Sequence, residues 1–410
     1  MTDSQLRIAM LSVHSCPIGN LGAKDTGGMS VYIRELSHEL GKQGHQVDIY
    51  TRIHDPKDRQ VYDIGCNARL IHLDAGGDRE INKSAIYPYL PDFTRNLEIF
   101  KQQNNLQYDL LFSHYWLSGC VGELLKNSWN VPHITMFHTI GAVKNSIGIG
   151  EGEPELRVET EKQLANNCNR IITATVKEKA NLIKHYHAIP ERIIVVPCGV
   201  NLDLFHPVDK KLARRNLGLT DNNILLYVGR IEPLKGLEQL LKAMPLLQNE
   251  HKLRLLIIGG DENSQDEIEK LQELSHKLKI QDFVTFMGIV QQEKLPCYYS
   301  AADVSVIPSY YESFGLVALE SLACGTPVVA TDVGEMNNII QDGKTGYVVP
   351  DNNPQYLADK IAFLFSNSKS EKEAILYNRA SITGYSWYNI AEVIAKKCQQ
   401  LLSEYHIKVL

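Results

Sequence analysis

The chain lacks the marks of a membrane or secreted protein. Nowhere in its 410 residues is there a run approaching the about 18 apolar positions that a bilayer-spanning helix needs. The opening M-T-D-S-Q-L-R leads straight into I-A-M-L-S-V, with no basic leader and no long apolar segment of a secretion signal. Its eight cysteines, at 16, 66, 120, 168, 198, 297, 324 and 398, include no C-x2-C pair, so neither a disulfide framework nor a zinc motif is read from their spacing. A cytoplasmic protein with reduced thiols is expected. Positive charge is also short: the net charge of −6 argues against a nucleic-acid partner, whose binding rests on a basic surface. A local basic pocket remains compatible with it. There is no G-x-G-x-x-G, which removes the main signature of a nicotinamide cofactor. No D-x-D with a suitable loop and no clustered His or Cys ligands occur, so no metal is expected to be required. Short repeats, low-complexity tracts and long charge runs are missing too.

What is present is the composition of an ordinary globular protein, 44% hydrophobic and 22% charged. At this length two domains of about 200 residues each are the natural expectation. Residues 7–13 read as a buried strand, followed by a Gly-rich loop. A helix comes next, with Met29, Ile33, Leu36 and Leu40 at helical spacing, and then the strand Q-V-D-I-Y-T. Strand, glycine loop, helix, strand opens a doubly wound parallel sheet. Gly27 and Gly28 at the helix start offer bare amides to a ligand phosphate or sugar. Residues 50–106 are less regular. Further strands are read at 108–114, 132–139, 171–175 and 193–197, with a helix over 156–167. Their carboxyl ends carry His14, His114, Tyr115, His138 and Thr139, where functional side chains of open parallel sheets gather.

The stretch C-G-V-N-L-D-L-F-H-P-V reads as a linker. Beyond it I-L-L-Y-V-G-R, L-R-L-L-I-I-G-G, V-T-F-M-G, V-S-V-I-P and V-V-A-T alternate with helical patterns, a second parallel α/β domain. The expected division is residues 1–199 and 200–385. Residues 386–410 form an amphipathic helix on Trp387, Ile390, Val393, Ile394 and Leu401.

Ser309 to Gly325, S-Y-Y-E-S-F-G-L-V-A-L-E-S-L-A-C-G, passes from loop into helix between two strands. Free amides of Ser313, Phe314, Gly315 and Leu316 at its start, backed by the helix dipole, make an anion site, and Gly315 admits a ligand close to the backbone. Glu312 and Glu320 bracket it, with backbones roughly 12 Å apart at helical rise. That spacing suits one long ligand and not two carboxylates on one bond. Taken alone, the pattern equally describes a helix capped by Ser313 beside a solvated glutamate. Arg230 and Lys235 in G-R-I-E-P-L-K-G could stabilise a leaving diphosphate, or be ordinary solvated cations.

E-S-F-G-L-V-A-L-E, preceded by the R-x4-K pair, resembles the signature of the large family of retaining, nucleotide-sugar-dependent glycosyltransferases, glycosyltransferase family 4 among them. The resemblance implies the GT-B fold: two Rossmann-like doubly wound parallel-sheet domains, the first for the acceptor and the second for the nucleotide-sugar, facing across a cleft. In that family the terminal helix crosses back to the first domain. It also implies that Arg230 and Lys235 grip the donor diphosphate, that Glu320 meets the ribose and that Glu312 touches the transferred sugar. Gly288, Ile289 and Val290 would meet the base. The histidine matching His138 lies against the sugar, its carbonyl assisting the reaction rather than its ring acting as a base. D-T-G-G-M-S-V-Y, S-H-Y-W-L-S-G, H-T-I-G-A-V-K-N and Y-I-R-E-L are similar to inositol-phosphate N-acetylglucosaminyltransferases and sucrose-phosphate synthases. Both use a phosphorylated polyol or sugar acceptor, and the matching acceptor positions are Lys83, Tyr115, Thr139 and Arg157. The partners the resemblance implies are a UDP-linked nucleotide-sugar and a small acceptor; a homodimer is left open. Alternatives are a lipid or polysaccharide acceptor, a nucleotide-sugar 2-epimerase of the same fold, and a sugar-nucleotide binder without activity.

Overall fold

Short apolar runs too long to leave in water and too short to be helices pair into two sheets in the computed structural model, which describes residues 5–19, 27–77, 81–219, 223–248, 253–366 and 371–409. The first sheet holds β1 (Arg7–Leu11), β2 (Gln46–Arg52), β3 (Val61–Gly65), β4 (Ala68–Leu73), β5 (Leu110–His114), β6 (His133–Met136), β7 (Arg170–Thr173) and β8 (Ile193–Val195). Their order is β3-β4-β2-β1-β5-β6-β7-β8, all parallel except β3, which pairs antiparallel to β4. The second holds β9 (Asn223–Val228), β10 (Leu253–Ile258), β11 (Val284–Gly288), β12 (Val304–Ile307), β13 (Val328–Thr331) and β14 (Gly346–Val349), ordered β11-β10-β9-β12-β13-β14 and parallel throughout.

In each sheet the chain winds outward one way, then returns to wind the other way. The reversals fall between β1 and β5 and between β9 and β12. Ligands of open α/β sheets bind outside the strand ends at such reversals. The loops after β1, β5, β6, β9 and β12 therefore set the site.

Each sheet has an apolar face of its own. Phe93, Leu97, Leu117 and Leu164 cover the first, and Leu240, Met244, Leu271 and Ile361 the second. The other two faces share one core. It runs from Ile8, Met10 and Leu36 through Val196, Cys198 and Phe205 to Leu226, Leu322 and Val328. The terminal helix Trp387–Val409 belongs to it through Trp387, Ile390, Ile394 and Cys398. This helix packs along the helix Gly28–Lys42. The Trp387 ring meets Tyr32 edge-on at 5.3 Å, and Gln43 donates to the Tyr388 carbonyl at 2.9 Å.

Several expectations change. The irregular span before residue 106 contains the β3–β4 pair and the helix Leu90–Gln103. Val393, expected on the apolar face, is 41% exposed, because the buried positions follow 390, 391, 394, 395 and 398. Residues 20–26 of the first glycine loop, including Asp25 and Thr26 of the quoted motif, lie outside the described residues.

Candidate active site

Two bare helix tips meet between the halves. The helix Gly28–Lys42 starts at Gly27, with no side-chain cap and no acidic residue in its first turn. The helix Leu316–Ala323 starts at Gly315, likewise uncapped and without an acidic first turn. Ser313 is thus not the N-cap. Gly315 takes that place at φ +118°, ψ 51°, a conformation that costs glycine little. A Cβ there would fall 2.4 Å from Met336 Cε, so packing on Met336 by itself calls for glycine. Helical rise starts only at Leu316, so the roughly 12 Å separation expected for Glu312 and Glu320 does not follow from it. A Cβ on Gly28 would lie 3.4 Å from Leu316 Cδ1, and one on Gly27 would lie 3.6 Å from Arg230 Nε. Both helix dipoles therefore point their positive ends at one place, beside a guanidinium.

Arg230 leaves the end of β9, its carbonyl held by the Tyr227 hydroxyl at 2.8 Å. Its guanidinium faces Glu232 at 3.0 Å. Burial raises the Glu232 carboxyl, but Arg230 and Lys235 outweigh it and hold the group ionised. Lys235 ends a short turn at Pro233–Lys235 and donates to Glu312 Oε1 at 2.6 Å. Ser309 donates to the same oxygen at 2.8 Å. Glu320 is buried, and burial pushes its carboxyl up to about 7 despite the Tyr299 hydroxyl, which donates to Oε2 at 2.7 Å.

In the first half, the loops after β5 and β6 bring two histidines together. His114 Nδ1 and His138 Nε2 are 2.9 Å apart, and burial keeps both neutral, His138 down at about 3. His114 Nε2 is buried with no partner among the described residues. A proton there would be an orphaned donor, so it belongs on His114 Nδ1, which donates to His138 Nε2. His138 Nε2 is then occupied as an acceptor. Tyr115 and His138 both hold positive φ, 75° and 60°, a strain that clusters at functional positions.

Arg157 is 1% exposed, and each of its nitrogens is engaged. Nε bonds Glu161 at 2.6 Å, one terminal nitrogen faces Glu153 at 2.8 Å, and the other donates to the Thr139 carbonyl and hydroxyl, each at 2.9 Å. The guanidinium lies 4.6 Å from the centre of the Tyr115 ring. Glu153 also takes the Lys144 ammonium, and Glu161 holds the Gly141 amide at 2.8 Å.

A cleft of about 310 Å³ joins these parts. It is lined by Gly27, Gly28, Lys83, Tyr115, His138, Thr139 and Arg157 from the first half. From the second come Arg230, Lys235, Ile289, Val290, Glu312, Ser313, Phe314, Gly315, Leu316 and Glu320. Of the expected residues Gly288 and His114 are off the lining: the Gly288 carbonyl accepts from the Gly259 amide at 2.9 Å, and His114 sits behind His138. Lys144, Tyr32 and Tyr227 line the cleft without having been singled out. Lys144 stood within the quoted H-T-I-G-A-V-K-N, three residues past Gly141, and its place by Glu153 depends on a loop with no periodic pattern. The sequence showed no clustered His or Cys ligands, yet the fold brings Cys16, His54 and His72 together outside the cleft lining.

Sucrose-phosphate synthase from Thermosynechococcus elongatus superimposes on the chain with a TM-score of 0.89 at 34% identity, over 98% of this chain and 100% of that one. Two parallel-sheet halves, a shared cleft and this likeness together define a glycosyltransferase of the GT-B fold. Residues 26–204 match the family described as Glycosyltransferase Family 4, and residues 209–381 match Glycosyl transferases group 1. The chain is 40% identical over 368 residues to D-inositol 3-phosphate glycosyltransferase 2 of Catenulispora acidiphila, covering 87% of this chain and 86% of that one. It is 36% identical over 406 residues to D-inositol 3-phosphate glycosyltransferase of Corynebacterium jeikeium, covering 97% of each. The chain belongs to glycosyltransferase family 4. Among the described residues no helix is long and apolar enough to cross a membrane.

Proposed function

We propose that this enzyme transfers a sugar, with retention at the anomeric carbon, from a nucleoside diphosphate sugar, UDP-linked, to a small phosphorylated polyol or sugar. The observation that carries the reading is the meeting of the Gly28 and Leu316 helix tips beside Arg230 and Lys235. Breaking the glycosidic bond leaves charge on the diphosphate, and fixed cations and oriented amides stabilise that state more than the bound donor. Because Lys235 and Arg230 begin paired to Glu312 and Glu232, the arriving diphosphate takes over part of that pairing. Glu320 accepts from the ribose hydroxyls, and Ile289 and Val290 meet the base. Glu312, held by Lys235 and Ser309, orients the transferred sugar. The His138 carbonyl faces the reacting carbon, and the acceptor hydroxyl delivers its proton toward the departing phosphate oxygen. No metal is required for these steps, since the cations and helix tips supply the positive charge.

At the other end, Lys83 and Lys144 bind the acceptor phosphate. Arg157, saturated by carboxylates, holds Thr139 and Tyr115 in place for it. The names of the relatives, an inositol 3-phosphate glycosyltransferase and a sucrose-phosphate synthase, support a phosphorylated acceptor. The test is calorimetry against a panel of nucleotide-sugars, followed by incubation of the best donor with inositol phosphate, fructose 6-phosphate and their unphosphorylated analogues. Transfer to a phosphorylated acceptor alone is expected. Equal transfer to the unphosphorylated analogues would overturn the acceptor reading, and donor conversion without any acceptor would point to an epimerase.

A further inference from the structure

The proposed transfer makes no use of one group of side chains on the far side of the loop after β1. Cys16 follows β1, His54 lies just past β2, and His72 is in β4; these strands are neighbours in the order β4-β2-β1. One ligand atom from each lies within 4.8 Å of the other two. Cys16 Sγ is 3.7 Å from His72 Nε2. A tetrahedral zinc with bonds of about 2.3 Å to sulfur and about 2.0 Å to nitrogen separates such a pair by roughly 3.5 Å. The His72 ring is already set for this role. Its side chain is fully buried, and Nδ1 lies 2.9 Å from the Arg59 carbonyl, which can only accept. The proton is thereby placed on Nδ1, and the Nε2 lone pair faces the thiol, the arrangement that orients metal-binding histidines. Asp58 Oδ2 stands 3.3 Å from His54 Nδ1 and 3.8 Å from His72 Nε2. The amides of His54 and Asp55 hold that oxygen at 3.4 and 3.2 Å.

We propose that Cys16, His54 and His72, with the Asp58 carboxylate beside them, bind a divalent transition-metal ion, zinc by the chemistry of one thiol and two imidazoles. Binding exchanges the Cys16 thiol proton, released to solvent, for a metal–sulfur bond. The ion ties the segment after β1 to the ends of β2 and β4. That segment includes His14 and Ser15, which line the cleft, and Ser15 bonds Ser30 in the first turn of the Gly28 helix at 2.7 Å. The ion therefore braces the donor-side helix tip from behind and takes no part in transfer.

Cobalt(II) titration of chelator-stripped protein reads the site directly. A thiolate-to-cobalt absorption band in the near ultraviolet is expected to saturate at about one equivalent, to be displaced by zinc, and to be accompanied by a higher thermal midpoint. Cys16→Ser should lose the band, while Cys66→Ser, which removes an exposed thiol, should keep it. His54 is partly exposed, so His54→Ala should fold normally and weaken binding at least tenfold. Absence of the band in the folded wild type, or its full retention in Cys16→Ser or His54→Ala, would overturn the proposal.

Discussion

The ammonium of Lys235 donates to Glu312 Oε1 at 2.6 Å, joining the turn after β9 to the loop after β12. Both side chains are 16% exposed, so the pair is shielded yet open to a ligand. On the proposed reading, the cation that meets the diphosphate starts out bound to the carboxylate that meets the sugar. Lys235→Ala should lower kcat/KM by about 10²–10³, the usual cost of losing one donor to developing charge. The thermal midpoint should stay close to that of the wild type. Near-normal turnover would count against the assignment.

Glu312→Gln tests the pairing from the other side. The amide still accepts from Ser309 but no longer neutralises Lys235. Affinity for the nucleoside diphosphate should rise about fivefold, in line with a partly exposed ion pair worth about 1 kcal/mol, while transfer falls. Calorimetry with the free nucleotide reads the first effect and steady-state kinetics the second.

Glu320 carries a pH signature. Burial raises its carboxyl from an ordinary value to about 7. The folded state then holds a proton that the unfolded chain releases, so its contribution to stability is full below the ordinary carboxyl range and is lost as pH climbs toward 7. If Glu320 meets the ribose as proposed, the ribose hydroxyls donate to the ionised form, so nucleotide affinity should rise between about pH 6 and about pH 8. Glu320→Gln should flatten both trends, as followed by thermal melts and by calorimetry.

The histidine pair predicts the opposite kind of profile. With His138 held at about 3 and His114 also lowered by burial, neither ring changes charge near neutrality. The pH dependence of kcat should show no limb attributable to His138, and His138→Gln should leave its shape unchanged while lowering its height.

Arg157 is predicted to matter first for folding. Its removal leaves Glu161 without its cation and Glu153 with Lys144 alone, and breaking a buried pair costs about 3–5 kcal/mol. Arg157→Ala should lower the denaturation midpoint strongly. Lys144→Ala, at a less buried position, should raise KM for a phosphorylated acceptor with little loss of stability.

The proposed donor side was legible because its residues are local in sequence. R-x4-K and E-x7-E each fit within one strand-to-helix connection, and alternating apolar runs announced the strands that carry them. The proposed acceptor side was less so, because Arg157, Glu153 and Lys144 meet through the short helix Gly141–Ile147 and a loop without period. Start points failed where one glycine decided them: Gly315 at φ +118° moved the helix start past Ser313. Cys16 and His54 follow β1 and β2 while His72 lies in β4, and only sheet order makes them neighbours.

The most direct test of the two-tip anion site is a crystal structure with UDP bound. The pyrophosphate is expected against the amides that open the Leu316 helix, facing Gly28, with Arg230 and Lys235 on its oxygens and the Lys235–Glu312 contact lengthened. A pyrophosphate bound elsewhere, with Lys235 still on Glu312 and the Leu316 amides unengaged, would contradict it.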